Sequence, residues 1–207
     1  MTARGLTRTL ARQLAHPSGV GGLLLGKAMD LANRRPTRRA VELLDPRAGE
    51  TVCDAGCGTG RALGQVLARA DCRVTGIDPS ERMLSDARRH LGGRAELLRG
   101  TVEQHGPGAR RFDAMLALNV LYFARDDGAM LRALHAMLAP GGRLVAYVTA
   151  RETMAGWGFT RAGYHRLYDP EELLAALVGG GFQPDRIAIH REPVGFGAVG
   201  LFAIAQG

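Results

Sequence analysis

Two aspartates and three alternating glycines are the residues of this chain best placed to do chemistry. The stretch Val52-Cys53-Asp54-Ala55-Gly56-Cys57-Gly58-Thr59-Gly60 runs from apolar residues into an acid and then into glycines at every second position. A second apolar run, Arg73-Val74-Thr75-Gly76-Ile77, ends in another acid, Asp78. A glycine turn after a buried strand lets backbone N–H groups approach a ligand that side chains would block. An acid closing the next strand can accept hydrogen bonds from both hydroxyls of a ribose. The pattern implies a pocket for a nucleoside-containing cofactor. The plainer alternative is a tight strand-to-helix turn with no ligand, in which Asp54 caps a nearby helix.

The spacing bears on which cofactor. Dinucleotide sites use Gly-x-Gly-x-x-Gly and seat a pyrophosphate on the helix N-terminus. Here the spacing is Gly56-x-Gly58-x-Gly60, with Asp54 two residues ahead of the first glycine. A carboxylate there would repel a pyrophosphate and attract an ammonium group, such as that on the methionine end of S-adenosylmethionine. The segment resembles motif I of the class I S-adenosylmethionine-dependent methyltransferases. Two later segments add to the resemblance. Phe112-Asp113-Ala114-Met115-Leu116-Ala117-Leu118-Asn119-Val120-Leu121-Tyr122 resembles that family's fourth-strand motif, and Leu138-Ala139-Pro140-Gly141-Gly142-Arg143-Leu144-Val145 resembles its Leu-x-Pro-Gly-Gly-x-Leu signature. The motifs fall in family order, and the similarity covers residues 40 to 205.

The elements that must hold these residues alternate. Apolar runs predict strands at 51–55, 73–78, 95–99, 112–118 and 142–149, and helices at 60–70, 80–91, 127–138 and 170–179. Such alternation implies an α/β fold with a parallel sheet covered on both faces. Ser80 is placed to cap one helix, and Asp169-Pro170-Glu171-Glu172 to open another that Gly179-Gly180-Gly181 ends. Further helices are expected at 20–34 and 37–45, broken by Pro36. The last two strands, 186–191 and 197–205, have no helical pattern between them and should form a hairpin. The resemblance implies a doubly wound seven-stranded sheet, mostly parallel with an antiparallel last strand, in the order 3-2-1-4-5-7-6.

The resemblance also implies roles. Gly56, Cys57, Gly58 and Gly60 would pass beneath the cofactor, Asp54 would meet its amino group, and Asp78 would grip its ribose with Pro79 and Met83 alongside. The adenine region departs from the family pattern: Thr101 stands where many members carry an acid, leaving the hydroxyl of Thr101, the backbone N–H of Val102 and the carboxylate of Glu103 as candidate partners. Asn119 would line the methionine end or orient the acceptor, and Tyr122 either lines the acceptor side or packs in the core. The long connection 150–168 holds Trp157, Phe159, Tyr164 and His165, which are expected to wall an acceptor pocket; His165 is a candidate general base or a structural residue. Asn119, Tyr122 and His165 are thus the catalytic candidates. No metal site is expected.

At 207 residues the chain fits one folding unit with a full core. Its three cysteines are odd in number and lack metal-ligand spacing, which points to free thiols in a reducing cytoplasm. The net charge of +7 lies wholly in residues 1–39, where eight basic residues face one acid, while residues 40–207 carry no net charge. This divides the chain into a basic N-terminal arm (1–39) and a catalytic domain (40–207), and argues against a broad nucleic-acid-binding face. Arg4, Arg8 and Arg12 alternate with Leu6, Leu10 and Leu14 on opposite helix faces. Residues 2–15 could dock over the substrate, rest on an anionic membrane surface, or form a frayed or targeting terminus. The expected function is methyl transfer to a small, lipophilic molecule. The alternatives are an RNA or protein methyltransferase that uses the arm, a catalytically silent cofactor-binding module and, more distantly, an oxidoreductase.

Overall fold

Strands apolar on both faces cannot leave either face in water, so helices must cover the sheet from both sides. The computed structural model describes residues 33–106, 108, 110–156 and 165–207. Its elements run α1 (Arg34–Leu44), β1 (Thr51–Ala55), α2 (Arg61–Arg69), β2 (Arg73–Asp78), α3 (Glu81–Leu91), β3 (Ala95–Arg99), α4 (Val102–His105), β4 (Phe112–Leu118), α5 (Ala129–Ala136), β5 (Leu138–Thr149), α6 (Arg151–Met154), α7 (Pro170–Gly179), β6 (Ile187–Gly195) and β7 (Ala198–Gln206). The seven strands form one sheet in the order β3-β2-β1-β4-β5-β7-β6. The first five are parallel, and β7 runs antiparallel to both β5 and β6.

Side chains alternate across the sheet as strand geometry requires. Cys53, Ala55, Met115, Ala117, Leu144 and Ala146 face one apolar cluster with α5 and α7. Val52, Ala114, Leu116, Val145 and Tyr147 face the other, with α1, α2 and α3. In register, Cys53 lies between Thr75 of β2 and Met115 of β4. The carboxyl ends of β1, β2 and β4 therefore share one edge, and Asp54, Asp78 and Asn119 reach it together.

Local chemistry sets the helix ends. Ser80 Oγ accepts from Met83 N, and Asp169 Oδ1 accepts from Glu172 N while Glu172 Oε2 accepts from Asp169 N. Away from the cleft edge, Arg143 binds both carboxylate oxygens of Glu50 (2.8 and 2.9 Å) and the carbonyls of Leu44 and Asp45. This clamp ties the end of α1 to β5 and holds the Glu50 carboxyl below the usual carboxylate range.

The structure differs from the sequence pattern at three points. Pro36 does not break a helix: it sits buried in the first turn of α1, where its missing N–H would have no intrahelical partner in any case. A division at 39/40 would cut α1 itself, and its Ala40, Val41 and Leu44 belong to the core. The strand expected at 142–149 starts ahead of Pro140-Gly141-Gly142. The strand begins at Leu138 and carries the segment as an irregularity, with Phe112 opposite Leu138 and Ala114 opposite Arg143. Residues 1–32 of the arm, with the helix proposed for 2–15 and most of that proposed for 20–34, lie outside the described residues.

Candidate cofactor and acceptor cleft

The shared strand edge opens into a cleft of about 1200 Å³. Asp54, Gly56, Cys57, Gly58, Asp78, Pro79, Met83, Thr101, Val102, Glu103 and Asn119 all line it. Gly60 does not: it ends the loop with φ +76, and a Cβ there would meet Leu91 Cδ1 at 2.9 Å and Ala87 Cβ at 3.1 Å. Its smallness lets α2 approach α3. Gly56 serves a similar end, since a Cβ would lie 2.1 Å from Val120 Cγ1. Gly58 is different. Its φ is +51 and the space beside it is open, so here a side chain would project where a ligand can sit.

The glycine loop offers less hydrogen bonding than its sequence suggests. Gly56 N and Cys57 N both donate to Ile77 O (2.7 and 3.0 Å), Gly60 N donates to Cys57 O (2.8 Å), and Gly58 N donates to Asp78 Oδ2 (3.0 Å). Three of these N–H groups close the loop onto β2, and that of Gly60 bonds within the loop. A pyrophosphate cradle needs such donors free; this loop supplies space lined by carboxylates.

The two acids differ. Asp78 accepts one backbone N–H on each oxygen, from Gly58 and from Ser80 (2.8 Å). A carboxylate offers about four lone-pair sites, which leaves two for a diol. Burial pushes the Asp78 carboxyl up, against the opposing pull of those two N–H groups. Asp54 is 2 % exposed, and its Oδ1 has no hydrogen-bond partner. Burial first, and the Asp78 charge second, push Asp54 up to about 7. A buried carboxylate left without a donor is costly, so the cleft calls for a cationic donor at this point. The orphaned oxygen of Asp54 and the open space at Gly58 both fit a nucleoside linked to an amino acid. The Cys53 and Cys57 thiols are also pushed up by burial, which keeps them protonated.

Asn119 is held from several sides. Its backbone is left-handed (φ +60) and its N–H donates to Tyr147 O. Its Nδ2 donates to Asn33 Oδ1 (3.2 Å), and its Oδ1 accepts from the Tyr122 hydroxyl (3.3 Å), which in turn accepts from Thr149 N. Tyr122 is therefore a core residue that fixes Asn119. It is 8 % exposed, is not among the cleft-lining residues, and burial pushes its hydroxyl up. The next residue takes the role considered for it: Phe123 lines the cleft and is 45 % exposed. Leu121–Phe123 form a single 3-10 turn, and the sequence gives no sign of which aromatic faces out.

His165 sits behind Phe123, with ring centroids 5.4 Å apart, and does not line the cleft. Burial lowers its pKa, so the ring is neutral at pH 7. Trp157, Phe159 and Tyr164 lie outside the described residues. Asn33, Arg34 and Thr37, at the start of α1, line the cleft although no pattern of residue types marks them as site residues. Among the described residues no three His, Cys, Asp or Glu side chains gather to hold a metal ion.

The sheet order, with its antiparallel last strand, is that of the Rossmann-like fold shared by methyltransferases. Residues 52–142 match the family model described as Methyltransferase domain. A Ubiquinone biosynthesis O-methyltransferase from Methylocella silvestris is 34 % identical over 149 residues, covering 64 % of this chain and 57 % of the relative. A tRNA U34 carboxymethyltransferase from Idiomarina loihiensis is 33 % identical over 115 residues, covering 52 % of this chain and 35 % of the relative. The chain thus spans a little over half the length of the first of these and about a third of the second. The solved 1,6-didemethyltoxoflavin-N1-methyltransferase of Burkholderia thailandensis, with 1,6-didemethyltoxoflavin and S-adenosylhomocysteine bound, shares the fold. Its TM-score is 0.69 at 22 % identity, covering 100 % of this chain and 90 % of that one.

Proposed function

We propose that this chain transfers the methyl group of S-adenosylmethionine to a small, largely apolar acceptor. The observation that carries the reading is the buried, unpartnered Asp54 oxygen beside an open glycine turn and a second cleft-lining acid. Asp54 would hold the ammonium of the cofactor, Asp78 its ribose, and Gly58 would leave room for its body. The cofactor's sulfonium supplies an electrophilic methyl carbon.

The chain's own part is to orient and to keep water out, and orientation can contribute up to about 7–11 kcal/mol in well-aligned systems. Asn119, fixed by Tyr122 and Asn33, defines the floor between cofactor and acceptor. Leu118, Val120, Phe123 and Met130 give that end of the cleft an apolar wall. No general base among the described residues lines that wall, and His165 stands behind Phe123. An acceptor nitrogen, sulfur or readily ionised oxygen would need little proton abstraction.

The basic arm supports a second reading, methyl transfer to RNA, since residues 1–39 carry all of the net positive charge. Calorimetric titration with S-adenosylhomocysteine and with a nicotinamide dinucleotide tests the cofactor reading: the first should bind and the second should not. Transfer of labelled methyl to quinol, phenol and heterocyclic amine panels, compared with bulk RNA at rising salt, tests the acceptor. RNA methylation that collapses as salt rises would favour the second reading.

A further inference from the structure

Single apolar side chains on a surface need no explanation, but a large one left open inside a cleft is a candidate ligand contact. Among the described residues the exposed large apolar side chains are Phe123, Val178 and Phe196. Of these, Phe123 alone lines the cleft. Its exposure is not shared by its turn. Leu121 is fully buried, and Tyr122 is held in the core by the bonds of its hydroxyl to Asn119 Oδ1 and Thr149 N.

The Phe123 ring is also held in place. The His165 imidazole packs against it with the two planes at 53°, and meets the Tyr122 ring edge-on at 6.3 Å. The backbone N–H of Arg166 donates to Tyr122 O (2.9 Å), which fastens the chain beside His165 to the same turn. A ring fixed by its neighbours loses little side-chain freedom when a ligand arrives. Met130, lining the same cleft, adds a polarisable thioether, a favourable partner for ring edges. Asn119 supplies a polar counterpart. Its amide offers two donors and two lone pairs. Asn33 Oδ1 takes one donor and the Tyr122 hydroxyl fills one lone pair, so one N–H and one lone pair stay open among the described residues.

An apolar wall rewards any acceptor for the area it buries. A fixed aromatic wall discriminates further, because offset-stacked and edge-to-face ring pairs contribute beyond their area. We infer that the acceptor site takes a planar aromatic ring bearing a hydroxyl or ring nitrogen, with the ring on Phe123 and the polar group at Asn119. The inference rests on the methyl-transfer reading above and names its acceptor class. Phe123 is then the residue that separates aromatic from saturated acceptors.

The test is calorimetric binding of 2-naphthol and of its saturated counterpart, decahydro-2-naphthol, to the full chain saturated with S-adenosylhomocysteine. The two probes share a carbon skeleton and a hydroxyl, so the flat π face is what distinguishes them. The wild type should prefer 2-naphthol by between about twofold and tenfold, the scale of aromatic pairing. Phe123→Leu should erase that preference and Phe123→Trp should keep it, both with wild-type circular dichroism spectra. No preference in the wild type, binding of neither probe, or an unchanged preference in Phe123→Leu would overturn the inference and leave the cofactor reading intact. Loss of S-adenosylhomocysteine binding in folded Phe123→Leu would place Phe123 on the cofactor and overturn the inference too. Failure of the wild type to bind S-adenosylhomocysteine would overturn both readings.

Discussion

Replacing Asp54 by asparagine should stabilise the ligand-free protein at high pH while weakening its hold on the cofactor. Burial and the Asp78 charge raise the Asp54 pKa from 3.8 to about 7. In the unfolded chain the group releases its proton near the ordinary value. Between those two pH values the native protein holds one proton more than the unfolded chain, so stability must fall as pH rises. Each pH unit across that window is worth about 1.4 kcal/mol, which amounts to about 4 kcal/mol of native-state cost once Asp54 is fully ionised. Asparagine carries no charge to desolvate. The stability advantage of Asp54→Asn over wild type should therefore grow by about 3 kcal/mol between pH 5 and pH 8. Urea unfolding of both proteins without ligand at the two pH values measures this directly. In parallel, binding of S-adenosylhomocysteine to the wild type should strengthen from pH 5.5 to pH 8, and this dependence should flatten in the variant. A stability difference that stays constant with pH would refute the claim that Asp54 is a desolvated, unsatisfied acid.

Other consequences follow from the same geometry. Gly58→Val should abolish measurable binding of S-adenosylhomocysteine in a calorimeter, because the open space beside Gly58 belongs to the cleft, and should also lower the melting temperature, because a β-branched residue is strained at φ +51; retained affinity in the folded variant would place the ligand elsewhere. Asp78→Ala should weaken that binding by roughly 1–3 kcal/mol, the scale of lost hydrogen bonds to a charged group, and wild-type affinity would contradict the ribose role. Arg143→Ala, far from the cleft, should cost about 2–4 kcal/mol in denaturant unfolding, since it strands Glu50 and the end of α1. Cofactor affinity per folded molecule should be unchanged in that variant, and a selective loss of binding would show that the clamp shapes the site.

The sheet was legible in the sequence for a physical reason. Strands buried on both faces leave apolar runs, and β1, β2 and β4 fall where those runs lie, while the half-exposed edge strand β3 shows a shorter one. Capping residues likewise marked the starts of α3 and α7, and glycines the end of α7. Legibility failed where tertiary packing decides. Pro36 reads as a breaker but sits in a first turn. The facing of Tyr122 and Phe123 depends on one 3-10 turn and on a hydroxyl that finds Asn119 and Thr149 N across the fold. The glycine loop invites a reading in terms of free N–H groups, yet its donors close onto Ile77 O and Asp78, a fact fixed by how β1 and β2 meet. Of the site residues, the acids at strand ends were readable from position alone. The contribution of Asn33, Arg34 and Thr37 was not, because it arises from where α1 begins relative to the sheet.

A structure of the full chain bound to S-adenosylhomocysteine would test the central claim most directly. The amino group should lie within hydrogen-bond distance of Asp54, and both ribose hydroxyls should meet Asp78 across the turn at Gly58. Adenosine bound away from this edge, or Asp54 and Asp78 still bonded only to protein groups with ligand present, would contradict the account.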